Sequence, residues 1–287
     1  MRYQIVHETI YSYSRPVKLE PHTIRLRSRT DATQALRFFS LEIYPEPAGI
    51  SDIIDLEGNN LIRVWFKQET SRLQILVRSE VETLRSNPFN YLLESWATKL
   101  PIDYPASLLV KLQHYFQPLG TPTPIDPVVT SLAQEIWQEV EGETEAFVTA
   151  ANQRIHENCK HQFREKGSPL PPALTWTGKK GSCRDLTVLF MELCRAMGLA
   201  ARFVSGYQEG SSNLRTRYLH GWAEVYLPGA GWRGFDPSQG KPVSDRHVAL
   251  VANPIQKHTT PIYGTFRGTG VQSEMTVNLS INPVEKF

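Results

Sequence analysis

Apolar or aromatic residues alternate with polar ones over most of the stretch from Tyr3 to Tyr13 (Tyr-Gln-Ile-Val-His-Glu-Thr-Ile-Tyr-Ser-Tyr), the period of a strand with one buried face. Similar runs occupy 23–29, 36–44, 61–67 and 72–83, and Asp55-Leu-Glu-Gly-Asn-Asn60 between two of them has the turn chemistry of a hairpin loop. No helical pattern interrupts these five runs. Residues 1–85 are therefore predicted to form an antiparallel β-domain.

The pattern changes over 86–126. Pro88, Pro101, Pro105, Pro118, Pro122 and Pro124 break it into short pieces, with helical stretches expected around 91–98 and 106–116. Its aromatics (Tyr91, Trp96, Tyr104, Tyr115, Phe116) require burial, so this is a packed connection and not a free linker. Asp126-Pro127 then supplies a cap and a first-turn proline for a helix carrying Val129, Leu132, Ala133, Ile136, Trp137 and Val140 at helical spacing. A second helix is predicted over 144–159 and a proline-bearing loop over 166–180. Leu186, Leu189, Phe190, Leu193, Cys194 and Met197 next recur at steps of three and four, giving a helix from Cys183 to Met197 that Gly198 ends. Strands follow at 200–207, 220–227 and 232–235, the last two joined by Pro228-Gly-Ala-Gly231. From Lys241 the chain reads as extended or irregular, with alternation again over 274–281. The order is that of an α+β protein whose second part spans 127–287.

Composition narrows the classes of function. Thirty-one basic against 29 acidic residues leave a formal charge of +2, no basis for a nucleic-acid or anionic-membrane partner. Arg25, Arg27 and Arg29 alternate as a solvated strand face would. No apolar run approaches the roughly 18 residues a membrane span requires, and polar residues among the first 13 exclude a signal-peptide core. A cytoplasmic location is expected. Three cysteines, an odd number, leave at least one free thiol unless another chain pairs with it.

One of them is well placed for chemistry. Cys183 opens its helix directly after Gly181-Ser182, where unpaired N–H groups and the positive end of the helix dipole favour thiolate and can receive an oxyanion. A nucleophilic thiol also requires a base and a group to hold it. His220 begins one strand, Asp236 ends the next, and the tight hairpin between them brings these two ends together. Taken singly, each residue also fits a bland role: a buried helix-start cysteine, a hydrogen-bonded histidine, a turn cap before Pro237.

Trp176-Thr-Gly-Lys-Lys-Gly-Ser-Cys183-Arg-Asp185, followed by a helix and Ala201-Arg-Phe-Val-Ser-Gly-Tyr207, resembles the cysteine block of the transglutaminase-like superfamily. His220-Gly-Trp222-Ala-Glu-Val-Tyr and Gly231-Trp-Arg-Gly-Phe-Asp236-Pro resemble its histidine and aspartate blocks, in the family's order. Tyr11-Ser-Tyr13, Pro16-Val17, Leu26 and Asp55-Leu-Glu-Gly58-Asn59 resemble the β-domain that precedes the core in bacterial members, including candidate cysteine proteases. The resemblance implies a papain-like core with Cys183 as nucleophile, His220 as base and Asp236 as its orienting carboxylate. It implies attack on a carboxamide and transfer of the acyl group to water or an amine. Trp176, Ser182 and Trp222 are further candidates for substrate or oxyanion contacts, although Trp176 equally fits a packing role. Two departures stand out: Leu186, Thr187 and Val188 replace a histidine that many bacterial relatives carry, and the usual Arg-Asp-Tyr run is missing from 249–260.

Other readings are weaker. His156, Cys159 and His161 lack a fourth ligand for zinc. Gly178-Lys-Lys-Gly-Ser lacks the spacing of a phosphate loop. His247 is a lesser alternative base because no hairpin ties it to a carboxylate, and Cys194 falls on the apolar face of its helix. No Asp-x-Asp-x-Asp-Gly loop occurs, so neither calcium nor any other cofactor or metal is expected. The expected partner is a peptide or protein substrate, and hydrolysis is favoured over amine transfer by analogy. A catalytically silent binding module on the same fold is the rival from a different class. The sequence is silent on oligomeric state.

Overall fold

The computed structural model describes residues 1–117, 124–164, 167–209 and 219–284. Pro118, Pro122 and Lys166, named above in the connection and the loop, lie outside them. The chain opens with β1 (Arg2–Leu19), β2 (His22–Ile24), β3 (Gln34–Tyr44), β4 (Gly49–Ile54), β5 (Asn60–Trp65) and β6 (Glu69–Thr83). β1, β3 and β6 share one antiparallel sheet, and β2, β4 and β5 share a second. Strand alternation turns Tyr3, Ile5, Leu73, Ile75 and Val77 of the first sheet onto Ile24, Ile62 and Val64 of the second, closing a sandwich core.

Three segments depart from the sequence pattern. The 23–29 run is strand only to Ile24, and β4 was not marked by alternation because five of its six residues are exposed. Arg25, Arg27 and Arg29 are not a solvated face. Each is partly buried: Arg25 donates to the Thr260 carbonyl at 3.0 Å, Arg27 lies over the Phe39 ring and Arg29 pairs with Asp31. The stretch 91–98 holds a single 3-10 turn, Ser95–Ala97, rather than a helix.

The helical layer follows: α1 (Ala106–Phe116), α2 (Pro127–Glu139) and α3 (Thr144–Asn158). Asp126 caps α2 by accepting from the Val128 N–H at 2.9 Å, with Pro127 in the first turn. A two-residue strand β7 (Lys160–His161) precedes α4 (Pro172–Gly178), which lies inside the stretch expected to be a loop. Seven residues are too few to show periodicity, but Pro172 pre-sets the first turn. β8 (Lys180–Gly181) and α5 (Cys183–Ala196) come next. α5 buries Leu186, Leu189, Phe190 and Leu193 against α2, α3 and the sheet behind it.

That sheet contains β9 (Ala201–Gln208), β10 (His220–Leu227), β11 (Gly231–Asp236), β12 (Lys241–Pro242) and β13 (His247–Asn253), in the order β12-β11-β10-β9-β13, antiparallel throughout. β13 is buried along nearly its whole length because the sandwich packs on it. Val248, Leu250 and Val251 join the sandwich core, and Ala249 exchanges hydrogen bonds of 2.7 and 2.9 Å with the Gln34 side chain. The last strands, β14 (Ile262–Tyr263), β15 (Phe266–Arg267) and β16 (Ser273–Pro283), return to the sandwich. β16 pairs with β1 from Tyr3↔Pro283 to Tyr13↔Ser273. Among the described residues no helix is long and apolar enough to cross a membrane.

Candidate active site

Cys183 is the first residue of α5, and the turn before it is fixed by a buried carboxylate. Asp185 Oδ2 accepts from the Ser182 N–H and the Ser182 hydroxyl, both at 2.7 Å. Its Oδ1 accepts from Arg164 Nη2 at 2.5 Å and the Leu170 N–H at 2.7 Å. Burial alone would raise the Asp185 pKa, but these bonds and the Arg164 charge hold it below its ordinary value. Ser182 thus reaches the site with its N–H and hydroxyl both directed to Asp185.

His220 and Asp236 meet as the hairpin of β10 and β11 requires, Nε2 to Oδ2 at 2.7 Å. The other ring nitrogen, Nδ1, is left for the thiol. Asp236 is fully buried. Ser238 donates to its Oδ1 from N–H and hydroxyl, at 3.0 and 2.6 Å, and His247 Nε2 lies 3.2 Å from Oδ2. His247 therefore does have a carboxylate, contrary to the sequence expectation. β13 brings it there by pairing with β9, itself the neighbour of β10.

Gly221 follows His220 at a point of close packing. A Cβ there would stand 2.5 Å from the Phe203 ring, and its carbonyl accepts from Thr187 Oγ1 of α5 at 3.1 Å. Thr187, one of the departures noted above, thus ties the cysteine helix to the histidine strand.

Sequence reasoning missed His161. β7 and β8 pair in parallel with His161 opposite Gly181, two residues before Cys183, and this puts the imidazole beside the thiol. The only trace in sequence was a histidine after a helix end, since a two-residue bridge has no periodicity. His156 and Cys159 point elsewhere, to the Ser238 carbonyl and into the core, so the three do not form a metal cluster. His220, Asp236 and His247 offer ligand atoms within 4.8 Å of one another, but there both imidazoles already face one carboxylate oxygen.

The charges follow from this geometry. Burial would raise the Cys183 thiol; hydrogen bonds from His161 and His220, the His220 charge and the Gly221 N–H outweigh it and bring the pKa down to about 6. Burial works against charge on His220 too, but Asp236 and Cys183 raise it to about 10. Burial likewise opposes ionisation of Asp236, yet the two histidines hold it well below the usual carboxylate range. Thiolate and imidazolium therefore coexist around neutrality. Cys194 and Cys159 are buried and shifted the other way, upward.

Ser182, Cys183, His220 and Gly221 line one side of a cavity of about 690 Å³. Trp176 and Trp222 are not among its lining residues. Trp176 sits on α4 with Lys179 Nζ 3.0 Å from its ring centroid. Trp222 is 1% exposed and packs edge-on to His247, behind His220 and Asp236. Both were candidates for substrate contact; the packing of α4 and of the sheet's buried face directs them away from it.

Residues 130–237 match the transglutaminase-like superfamily, and residues 3–82 match the bacterial transglutaminase-like N-terminal region. The chain carries a transglutaminase-like core. Its α+β fold, with helix and antiparallel sheet behind an N-terminal β-domain, is that of this family. It superimposes with a TM-score of 0.71 on the crystal structure of a candidate cysteine protease from Cytophaga hutchinsonii, 18% identical and covering 100% of this chain and 92% of that one. An uncharacterized protein of Mycobacterium tuberculosis is 24% identical over 99% of this chain and 93% of its own length. A protein-glutamine gamma-glutamyltransferase of Pseudomonas aeruginosa is 30% identical over 39% of this chain and 18% of its own.

Proposed function

We propose that this transglutaminase-like chain is a thiol enzyme that cleaves peptide or other carboxamide bonds through an acyl thioester on Cys183, with water as the final acceptor. The observation that carries the reading is the linked set Cys183, His220 and Asp236, the first two at one wall of a cavity, with the 2.7 Å His220–Asp236 bond holding the base. The Cys183 thiolate adds to the carbonyl carbon, and the oxyanion turns toward the N–H of Cys183. As the C–N bond breaks, the His220 imidazolium gives its proton to the leaving amine. Water then adds to the thioester with His220 taking its proton, and the carboxylate product leaves the thiolate free. Asp236 keeps the imidazole in one tautomer and supports its charge.

Transfer to an amine uses the same thioester, and the segment similar to the Pseudomonas aeruginosa gamma-glutamyltransferase favours it as the second reading. Incubating the protein with a glutamine- and asparagine-containing peptide library, with and without a labelled primary amine, separates the two. Hydrolysis gives carboxylate products even with the amine present; transfer gives labelled peptide. A Cys183→Ser protein as active as the parent would end the thiol mechanism.

A further inference from the structure

We infer that the substrate side chain beside the scissile carboxamide is uncharged and apolar, and that the surface selecting it belongs to the β-sandwich and its last strand. This rests on the thiol-enzyme reading above. β1 and β16 are antiparallel with Thr9 opposite Val277 and Tyr11 opposite Met275. Side chains two apart on a strand share a face, so these four and His7 present one surface, and all five line the cavity that holds Cys183. The intervening residues turn to the other face, where Glu8 accepts from Gln74 and Asn278 at 2.6 and 2.9 Å. Ile262 of β14 extends the same wall.

The wall offers no charge. His7 lies between the Tyr207 hydroxyl, 2.9 Å from Nδ1, and Thr9 Oγ1, 3.1 Å from Nε2. Burial lowers its pKa to about 4, so it is neutral at pH 7. Among the described residues no aspartate or glutamate lines the cavity, while Arg164, Arg184 and Lys257 do. A substrate lysine or arginine would have no counter-charge against this wall, and a substrate carboxylate would lose water to meet Tyr11, Met275 and Val277. An aliphatic or aromatic side chain would bury surface there at no such cost. The wall is also held in place. The His7–Tyr207 bond and the Tyr3 hydroxyl donating to Glu209 at 2.7 Å join β1 to β9 and the residue that follows it, next to the strand of His220. A cavity of about 690 Å³ suits a substrate a few residues long.

The test is a panel of N-acyl peptide carboxamides differing only in the side chain beside the scissile bond: Leu, Phe, Lys or Glu. Acyl-Cys183 is read by mass spectrometry after acid quench, and amine release gives kcat/KM. The Leu and Phe members are expected to exceed Lys and Glu by at least about tenfold. Val277→Asp should cut the Leu substrate by about tenfold and narrow or invert its lead over Lys. Met275→Ala should move the preference toward Phe. Iodoacetamide labelling of Cys183, which requires no wall, is measured on each variant to show that the thiol site is intact. Equal rates across the panel, or an unchanged Leu-to-Lys ratio in Val277→Asp together with an unchanged Leu-to-Phe ratio in Met275→Ala, with labelling intact, would overturn the inference while the thiol-enzyme reading stands. No acyl-enzyme with any member would overturn both.

Discussion

The side-chain amide of Asn59 pairs with both backbone hydrogen-bonding groups of Ala252, accepting from its N–H at 2.9 Å and donating to its carbonyl at 2.8 Å. A neighbouring strand would make the same two bonds. With Gln34 doing likewise at Ala249, two amides from the sandwich close the outer edge of the core sheet. Both are buried, at 0% and 2% exposure, so their bonds exclude water.

Removing either amide leaves buried backbone groups unpaired. Asn59→Ala is expected to cost about 1–3 kcal/mol, as is Gln34→Ala. Urea unfolding followed by circular dichroism measures it. An unchanged midpoint in both variants would mean that apolar contact alone joins the two parts.

The Cys183 pKa of about 6 predicts that alkylation of this cysteine rises through a step near that pH, far below an ordinary thiol. The sign is set by two opposed causes: burial raises the pKa and the histidines lower it. His220→Ala removes lowering contributions and leaves burial, so the step must move up in pH. Rapid-quench iodoacetamide labelling from pH 5 to 10 reads both proteins, the coupled pair titrating as a unit.

His161 contributes to the same thiolate without contacting Asp236. His161→Ala should move the labelling step up in pH by less than His220→Ala does, with stability unchanged within about 0.5 kcal/mol because the imidazole is exposed. A step identical to wild type would remove His161 from the site.

His247 faces Asp236 and does not line the cavity. Its loss takes one donor from a buried carboxylate, so His247→Ala should lower kcat by about tenfold with KM little changed. His247→Gln, which keeps a donor, should recover part of it. A change in KM alone would place His247 among substrate contacts.

Local physics made much of this legible in the sequence. The cap at Asp126, the helix start at Cys183 and the hairpin that joins His220 to Asp236 are each decided within about 20 residues, and the structure places those three elements as expected. What could not be read depends on distant partners. β13 has no alternation because the sandwich and the core bury it from both sides. His161 reaches the thiol through a two-residue bridge to β8. The alternation over 274–281 marked a strand, but nothing in it named β1 as its neighbour. The aromatic positions Trp176 and Trp222 misled for the same reason: spacing places a ring near a site, whereas packing decides which way it faces.

β16 has a temporal consequence. It follows Cys183, His220 and Asp236 along the chain, so synthesis delivers the thiol and its paired histidine before the strand that supplies Met275 and Val277. A growing chain that has already folded its core holds a thiol facing an open, unselective surface. Pairing of β16 with β1 then encloses it. The order of residues thereby makes this wall a late addition, and a chain interrupted before Ser273 would lack Met275 and Val277, two of its five residues.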